Sequence, residues 1–452
     1  MKKAAIILLI IGLPLLVILG AIILPKVFNP QVTPPAKVTL TIWGTQPITT
    51  MQPIIAAYTA TRPYATLNYV QISMTNYLNQ LTQAWSLGTG PDIFLFPVQD
   101  LQQYSPYLIP APATTPSYTY TTIKRLGISE ETQITKKDIA GPTYASVRND
   151  FIDTVADDVS IGGQVYGLPV SVEPLVMFVN RKALSQAKIA LHATDWNLFK
   201  LHVPAMTVFD NNFNIIQSGA SLGTANNISH AIDILGLLIL QNGGSITDPT
   251  GTIMTLQSEQ TTVALQFYTA FADQNKEVYS WNTLQDDALT EFATGKVGYY
   301  IGYPSDESII QQRTTGVDYE IKPVPQVNEF LPVNIARYDI FGVYKNAKNS
   351  IAAWNFLQFL TSQEGGTYYY NIALTTPARK DLINILLNDA SKPLPQMLAG
   401  QALSARTLYH GKNADKITDV LERMIESINA NEASVSAALQ SAAEQIQLLL
   451  RT

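Results

Sequence analysis

Apolar and polar positions alternate along this chain with two periods, and the switches between them predict its elements. Val38 to Gly44 (VTLTIWG) alternates with period two and predicts a first strand; Tyr64 to Ile72 repeats the pattern. Between them Met51 to Ala60 predicts a helix with Pro53 in its first turn. Met74 to Leu87 carries Tyr77, Leu78, Leu81, Ala84 and Trp85 at helical spacing, stops at Gly88, and is followed by a wholly apolar strand, Ile93 to Phe96. Strand–helix–strand–helix–strand predicts an α/β sheet with parallel pairs. Further on, strands are predicted at 213–217, 297–302, 319–325 and 337–343. Helices are predicted at 182–189, 228–241, 261–273, 285–293, 350–360 and 433–450. Residues 104–120, rich in Pro, Tyr and Thr, predict a loop, and 135–151 a short helical excursion.

One stretch breaks both periods. Gly162 to Leu184 opens on a Gly-Gly turn and runs through Tyr166-Gly167-Leu168-Pro169. It then places Glu173 and Pro174 ahead of the apolar run Leu175 to Val179. Each proline marks a change of chain direction, because it fixes φ and cannot donate to a ladder. Glu173 is a carboxylate flanked by apolar residues, so it is either ion-paired or aimed at a ligand.

At the N-terminus, Lys2 and Lys3 precede an uncharged, Ile/Leu-rich run from Ala4 to Leu24. That is the length of a bilayer-spanning helix, about 20 residues, with its basic flank on the cytoplasmic side. A cleaved signal peptide is the rival reading, but its apolar core is shorter and ends in a small-x-small site that is missing here. Residues 29–36 (NPQVTPPA) predict a stiff Pro-rich spacer.

Composition narrows the function. With 452 residues the chain holds two or three domains, and 46% hydrophobic against 14% charged residues excludes a disordered chain. A net charge of −6 argues against nucleic acid. No cysteine is present, which removes disulfides, thiolate chemistry and the lipid-modified cysteine of a lipoprotein. The four histidines, His192, His202, His230 and His410, lack metal-ligand spacing. Asp210-x-Asn212-x-Asn214 fails the calcium-loop pattern at its sixth and twelfth positions, Ile215 and Ser221. There is no nucleophile elbow, and Asp157-Asp158 and Asp286-Asp287 are adjacent pairs that diverge. No motif supports a catalytic mechanism, and no cofactor is expected. Five Trp and 22 Tyr supply the flat amphipathic faces that a concave small-molecule site uses.

The order of motifs completes the picture: strand-Trp43-Gly44, then Gly88-x-Gly90-Pro91-Asp92, then Tyr166-Gly167-Leu168-Pro169 with Glu173-Pro174-Leu175. Gly295-Lys296 ahead of Gly302-Tyr303-Pro304 and Pro377-Ala378-Arg379 follow. This order resembles family 1 of the extracellular solute-binding proteins, the maltose-binding-like receptors of ABC importers, over residues 38–450. The resemblance implies a type II periplasmic-binding-protein-like fold: two α/β lobes joined by a multi-crossing hinge, with ligand held between them. It implies lobe 1 at 37–168 and 299–345 and lobe 2 at 169–298 and 346–452, beyond the N-terminal anchor or signal segment read at 1–28. Carried over, the motifs nominate Trp43, Gly44, Glu173, Ser218, Asn226, Trp281, Tyr303, Arg337 and Tyr338 as ligand-binding residues, with no catalytic or metal-binding residue. For Glu173 a hinge salt bridge stays open beside ligand contact. The implied partners are a small solute such as a saccharide, ABC permease subunits, and the membrane through the N-terminal helix. The implied state is a monomer on the extracytoplasmic side. A cell-envelope hydrolase of saccharides and a surface interaction module derived from a binding protein are the alternatives.

Overall fold

Two separate hydrophobic cores organise the chain, each built around its own five-stranded sheet. The computed structural model describes residues 32–125, 129–248, 251–312, 316–409 and 411–451. The expected membrane anchor, the first residues of its spacer and His410 lie outside the described residues. Among the described residues no helix is long and apolar enough to cross a membrane.

In the first lobe, Val38–Gly44 lies between Ala65–Gln71 and Ile93–Pro97, parallel to both, as the strand–helix alternation predicts. Asp339–Val343 then adds antiparallel to Ile93–Pro97, and Gly167–Leu168 closes the edge. Helices Ile48–Ala60 and Tyr77–Ser86 fall on the predicted segments. The Gly88–Asp92 turn is a packing device: Asp92 accepts the Thr41 amide at 2.9 Å, and the Trp85 indole donates to the Pro91 carbonyl at 3.0 Å.

The second lobe's sheet runs Val208–Phe209, Ile215–Ala220, Val297–Gly302, Val176–Asn180, Tyr319–Pro323. Ile215–Ala220 and Val297–Gly302 are parallel, so both deliver their C-terminal ends to the same rim. Val176–Asn180 runs antiparallel and starts at that rim. Every residue of Val176–Asn180 and Val297–Gly302 is buried, which explains their unbroken apolar runs.

A third, four-stranded sheet joins the lobes: Thr376–Pro377, Ser171–Pro174, Asn334–Arg337, Ala405–Arg406. The chain leaves the first core after Val172 and enters the second at Leu175; it returns between Ile335 and Ala336, and crosses again after Ala405. Asn334, fully buried, fastens these crossings. Its side-chain amide donates to the Leu175 carbonyl (2.9 Å) and to Gln401 (3.0 Å), and its backbone amide to the Ser404 carbonyl.

Two expectations need correction. The cores divide the chain differently from the expected lobe boundaries. Val297–Gly302 belongs to the second lobe's sheet, and Ser350–Leu360 with the helices up to Leu403 packs mainly on the first core. The third crossing falls at about residue 405 instead of 345, because nothing in the helical periodicity tells one lobe's core from the other's. The second correction concerns 104–140. Thr114–Arg125 and Ser129–Ala140 form a long antiparallel ladder where a loop and a helical excursion were expected, and of the expected excursion only Tyr144–Asp150 is helical. The Thr/Tyr alternation fits a pleated surface, and the two-stranded sheet tolerates Pro116 on its unpaired side.

Candidate functional site

The hinge sheet forms the floor of a cleft, and register places its charges. Arg337 pairs directly opposite Glu173 across the antiparallel ladder, so both side chains leave the same face. The Arg337 guanidinium donates to Glu173 Oε2 at 3.2 Å and to Ser305 Oγ at 3.1 Å, and Ser305 donates to the same carboxylate oxygen at 3.1 Å. The guanidinium also lies over the Tyr303 ring, 4.1 Å from its centre. Both readings of Glu173 therefore meet in one place: it is ion-paired, and it lines the cleft.

Two cavities flank Arg337. One, about 390 Å³, is lined by Gln46, Asp339 and Thr375 of the first lobe, Glu173 and Arg337 of the hinge, and Ser305 of the second lobe. The other, about 480 Å³, is lined by Gln99 from the first lobe and by His230, Asp233, Tyr303 and Asp415 from the second. Both sit beyond the C-terminal ends of strands, where open α/β sheets hold ligands.

Several polar atoms here are buried without a well-formed hydrogen bond; the Tyr303 hydroxyl has only the neighbouring Asp233 carboxylate, and Gln46 the Tyr369 hydroxyl. Gln46 Oε1, Thr375 Oγ1 and the Tyr303 hydroxyl make no hydrogen bond of standard geometry. Burial first, then the neighbouring Asp233, holds the Tyr303 hydroxyl in its neutral form. Native interiors leave few such groups, and each costs about 1–3 kcal/mol when nothing satisfies it. Among the described residues, three such atoms belong to residues lining these two cavities.

Next to the cleft, the second lobe is rigidly wired. Tyr303 precedes a short turn in which Asp306 accepts the Tyr303 amide (3.0 Å), the Tyr300 hydroxyl (2.9 Å) and His230 Nε2 (3.0 Å). Burial pushes the Asp306 carboxyl up, but these donors outweigh it and hold it below the usual range. His230 in turn opens the helix Ala231–Gln241, which carries Asp233 in its first turn. Burial raises Asp233 despite His230, Tyr303 and Arg337 nearby.

Of the nominated residues, the structure brings Glu173, Tyr303 and Arg337 together. Tyr338 borders the cavity, but it is buried and its hydroxyl donates inward to Asp158, which also accepts from Thr154 and Thr407. The remaining five do not reach these cavities. Trp43 packs half-buried on the first core, and Gly44 is a packing position, where a Cβ would meet the Tyr69 hydroxyl at 2.8 Å. Ser218 is buried and donates to the Ala220 carbonyl within its own strand. Trp281 is fully buried in the second core, its indole donating to Asn227 at 3.0 Å. Asn226 opens instead on a separate groove of about 840 Å³, walled by the second lobe alone. Sequence reading missed Gln46, Asp233, Asp339 and Thr375. Asp339 had a usable signal: it stands two residues after Arg337, the spacing that puts both on one side of an extended chain.

The fold and cleft define a class: two-lobed receptors that hold a solute at a multi-crossing hinge. The chain belongs to the bacterial extracellular solute-binding protein family, whose profile matches residues 54–398. It is accordingly a binding protein and not an enzyme. A Brucella abortus (strain 2308) relative, named only as a binding protein, is 20% identical over 399 residues, covering 87% of this chain and 88% of its own. A cyclo/maltodextrin-binding protein solved with maltotetraose superposes with a TM-score of 0.72 at 16% identity, covering 93% of this chain and 99% of that one. UgpB from Mycobacterium tuberculosis, solved with glycerophosphocholine, gives 0.67 at 16% identity over 92% and 99%.

Proposed function

We propose that this protein captures a small polar solute, of the carbohydrate class, in the cleft around Arg337 and delivers it to an ABC importer. The observation that carries the reading is the set of buried polar atoms, Gln46 Oε1, Thr375 Oγ1 and the Tyr303 hydroxyl, that make no hydrogen bond of standard geometry and belong to residues lining cavities between the lobes. A solute rich in hydroxyls supplies the missing donors and acceptors, and the tyrosine rings at the floor supply flat apolar faces. The solved relative holding maltotetraose favours a saccharide. Ligand-contacting residues in this reading are Gln46, Glu173, Asp233, Tyr303, Arg337, Asp339 and Thr375.

The lobes hinge about the three crossings, and the closed form is the one presented to the permease. The Ala4–Leu24 run tethers the body to the outer face of the membrane through the Pro-rich spacer, in place of a lipidated cysteine. Thermal shift and small-angle scattering over a panel of saccharides and polyols test the reading. A true ligand raises the melting temperature by mass action and compacts the protein. If no member of a broad panel does either, the receptor reading falls.

A further inference from the structure

The ladder of Thr114–Arg125 and Ser129–Ala140 has one edge closed and one open. It pairs with no other strand among the described residues. The first lobe covers the Thr114–Arg125 edge: the Tyr120 amide donates to the Thr61 carbonyl at 2.8 Å, Arg62 donates to Ser117, and the Tyr64 ring packs against Tyr118 and Tyr120. On the Ser129–Ala140 side the cover is at the base, where Gln358 donates to the Ala140 carbonyl at 2.7 Å. Beyond it, from Glu130 to Asp138, every residue is exposed except the half-buried Ile134.

The direction of the backbone groups on this open edge follows from the ladder. Residues directly opposite in an antiparallel pair either exchange both backbone bonds or both turn away. Tyr120 stands opposite Ile134 and turns its amide outward to Thr61, so Ile134 turns outward on the other side, and with it Glu130, Thr132, Lys136 and Asp138. Two further bonds agree: the Ala140 carbonyl reaches out to Gln358, and the Gly141 amide donates inward to Ala113. A strand edge of outward backbone groups is a template for one more strand, and a two-stranded ladder gains stability from a third and fourth.

The edge is charge-complementary to its own reverse. It reads Glu130-Glu131-Thr132-Gln133-Ile134-Thr135-Lys136-Lys137, acids at one end and bases at the other. An edge guarded against its own kind would carry one sign of charge. Two copies related by a two-fold axis normal to the sheet run antiparallel and keep each side chain on its own face, so even-numbered residues oppose even-numbered ones. With Gln133 facing Gln133, Glu130 faces Lys136 and Thr132 faces Ile134, each twice. These are the outward-turned residues that backbone exchange requires. Glu131 then lies diagonal to Lys137, within reach of long side chains. Sliding by one residue, so that Ile134 faces itself, sets Glu130 against Asp138.

We propose that two copies of this protein join along Glu130–Lys136 into a continuous four-stranded antiparallel sheet, in place of the monomer that the resemblance implies. The contact is smaller than a standard interface of about 800 Å² a side, so the dimer is weak and forms where chains are concentrated. It is independent of whether the cleft binds a solute.

The chain has no cysteine, so one introduced thiol reports the register. In the full chain in detergent micelles, mild oxidation is expected to link Gln133→Cys copies across the two-fold axis, where opposite Cα atoms stand about 4.5 Å apart. Linkage should be at least tenfold faster than for Asp138→Cys, whose copies lie roughly 30 Å apart along the paired strands. Lys136→Glu sets like charges opposite and should suppress both the Gln133→Cys linkage and the dimer seen by sedimentation; adding Glu130→Lys should restore them. These comparisons separate pairing at this edge from association through the Ala4–Leu24 run. Equal linkage at both positions, or a Lys136→Glu variant that links as fast as its parent, overturns the inference. So does a chain that stays monomeric to about 0.1 mM with Gln133→Cys unlinked, which leaves the edge to a segment of another protein.

Discussion

Replacing Asp339 by Asn should stabilise the unliganded protein, by an amount that depends on pH in a definite direction. The Asp339 carboxyl is lifted from its ordinary 3.8 to about 6, first by burial, with Glu173 adding and Arg337 opposing. A raised carboxyl binds its proton more tightly in the folded state. The group therefore costs nothing well below pH 3.8, where both states are protonated, and its cost grows as pH rises through 3.8 to about 6. Above that, the shift of roughly 2 units at 1.36 kcal/mol each amounts to about 3 kcal/mol. Asn has the same shape and no charge to bury. At roughly 2–4 °C per kcal/mol for a lobe of this size, Asp339→Asn should melt about 6 °C or more above the parent at pH 8. The difference should shrink steadily as pH falls from 6 towards 4. Calorimetric melts of both proteins from pH 4 to 8, in fixed salt and without added solute, decide it. A constant difference across that range, or a variant that is less stable at pH 8, would refute the claim that Asp339 is an uncompensated charge.

Arg337→Ala leaves Glu173 and Ser305 facing the cleft without their donor and uncovers the Tyr303 ring; titration calorimetry should show solute affinity reduced at least tenfold, with a stability loss of about 1–2 kcal/mol because the pair is partly exposed. Asp306→Ala strips a common acceptor from Tyr300, His230 and the Tyr303 amide; urea denaturation should show a loss of about 3 kcal/mol. In the parent, this depressed carboxyl contributes stability that is present above the ordinary carboxylate range and lost as pH falls through its folded value, the opposite sign to Asp339. Trp281→Phe removes the indole hydrogen bond to Asn227 inside the second core; it should cost about 1–2 kcal/mol while solute affinity stays within a factor of two.

The chain's own pattern decided a good deal. Period-two and helical stretches placed the strands at 38–44 and 297–302 and the helix at 350–360, because each buries one face or both and its residue types say so. The directional break at Pro169 and Pro174, with a carboxylate between them, located the first crossing and Glu173, since proline restricts the backbone wherever it stands. The scarcity of histidine and the lack of cysteine pointed away from catalysis before any coordinate was known.

What the linear pattern could not decide was which surfaces meet. Trp281 and Ser218 have the chemistry of ligand contacts, yet they lie inside the second lobe, because a strand or loop residue faces cleft or core according to its rotation in the sheet. Gln46, Asp233, Asp339 and Thr375 are unremarkable residues hundreds of positions apart in places, and three chain crossings bring them to one cleft. The assignment of the helices at 350–403 to the first lobe is likewise tertiary: their apolar faces suit either core, and only the hinge sheet, with Asn334 tying its strands, determines which one they cover. Local periodicity is a property of neighbours in sequence, whereas a charge without a partner is a property of neighbours in space.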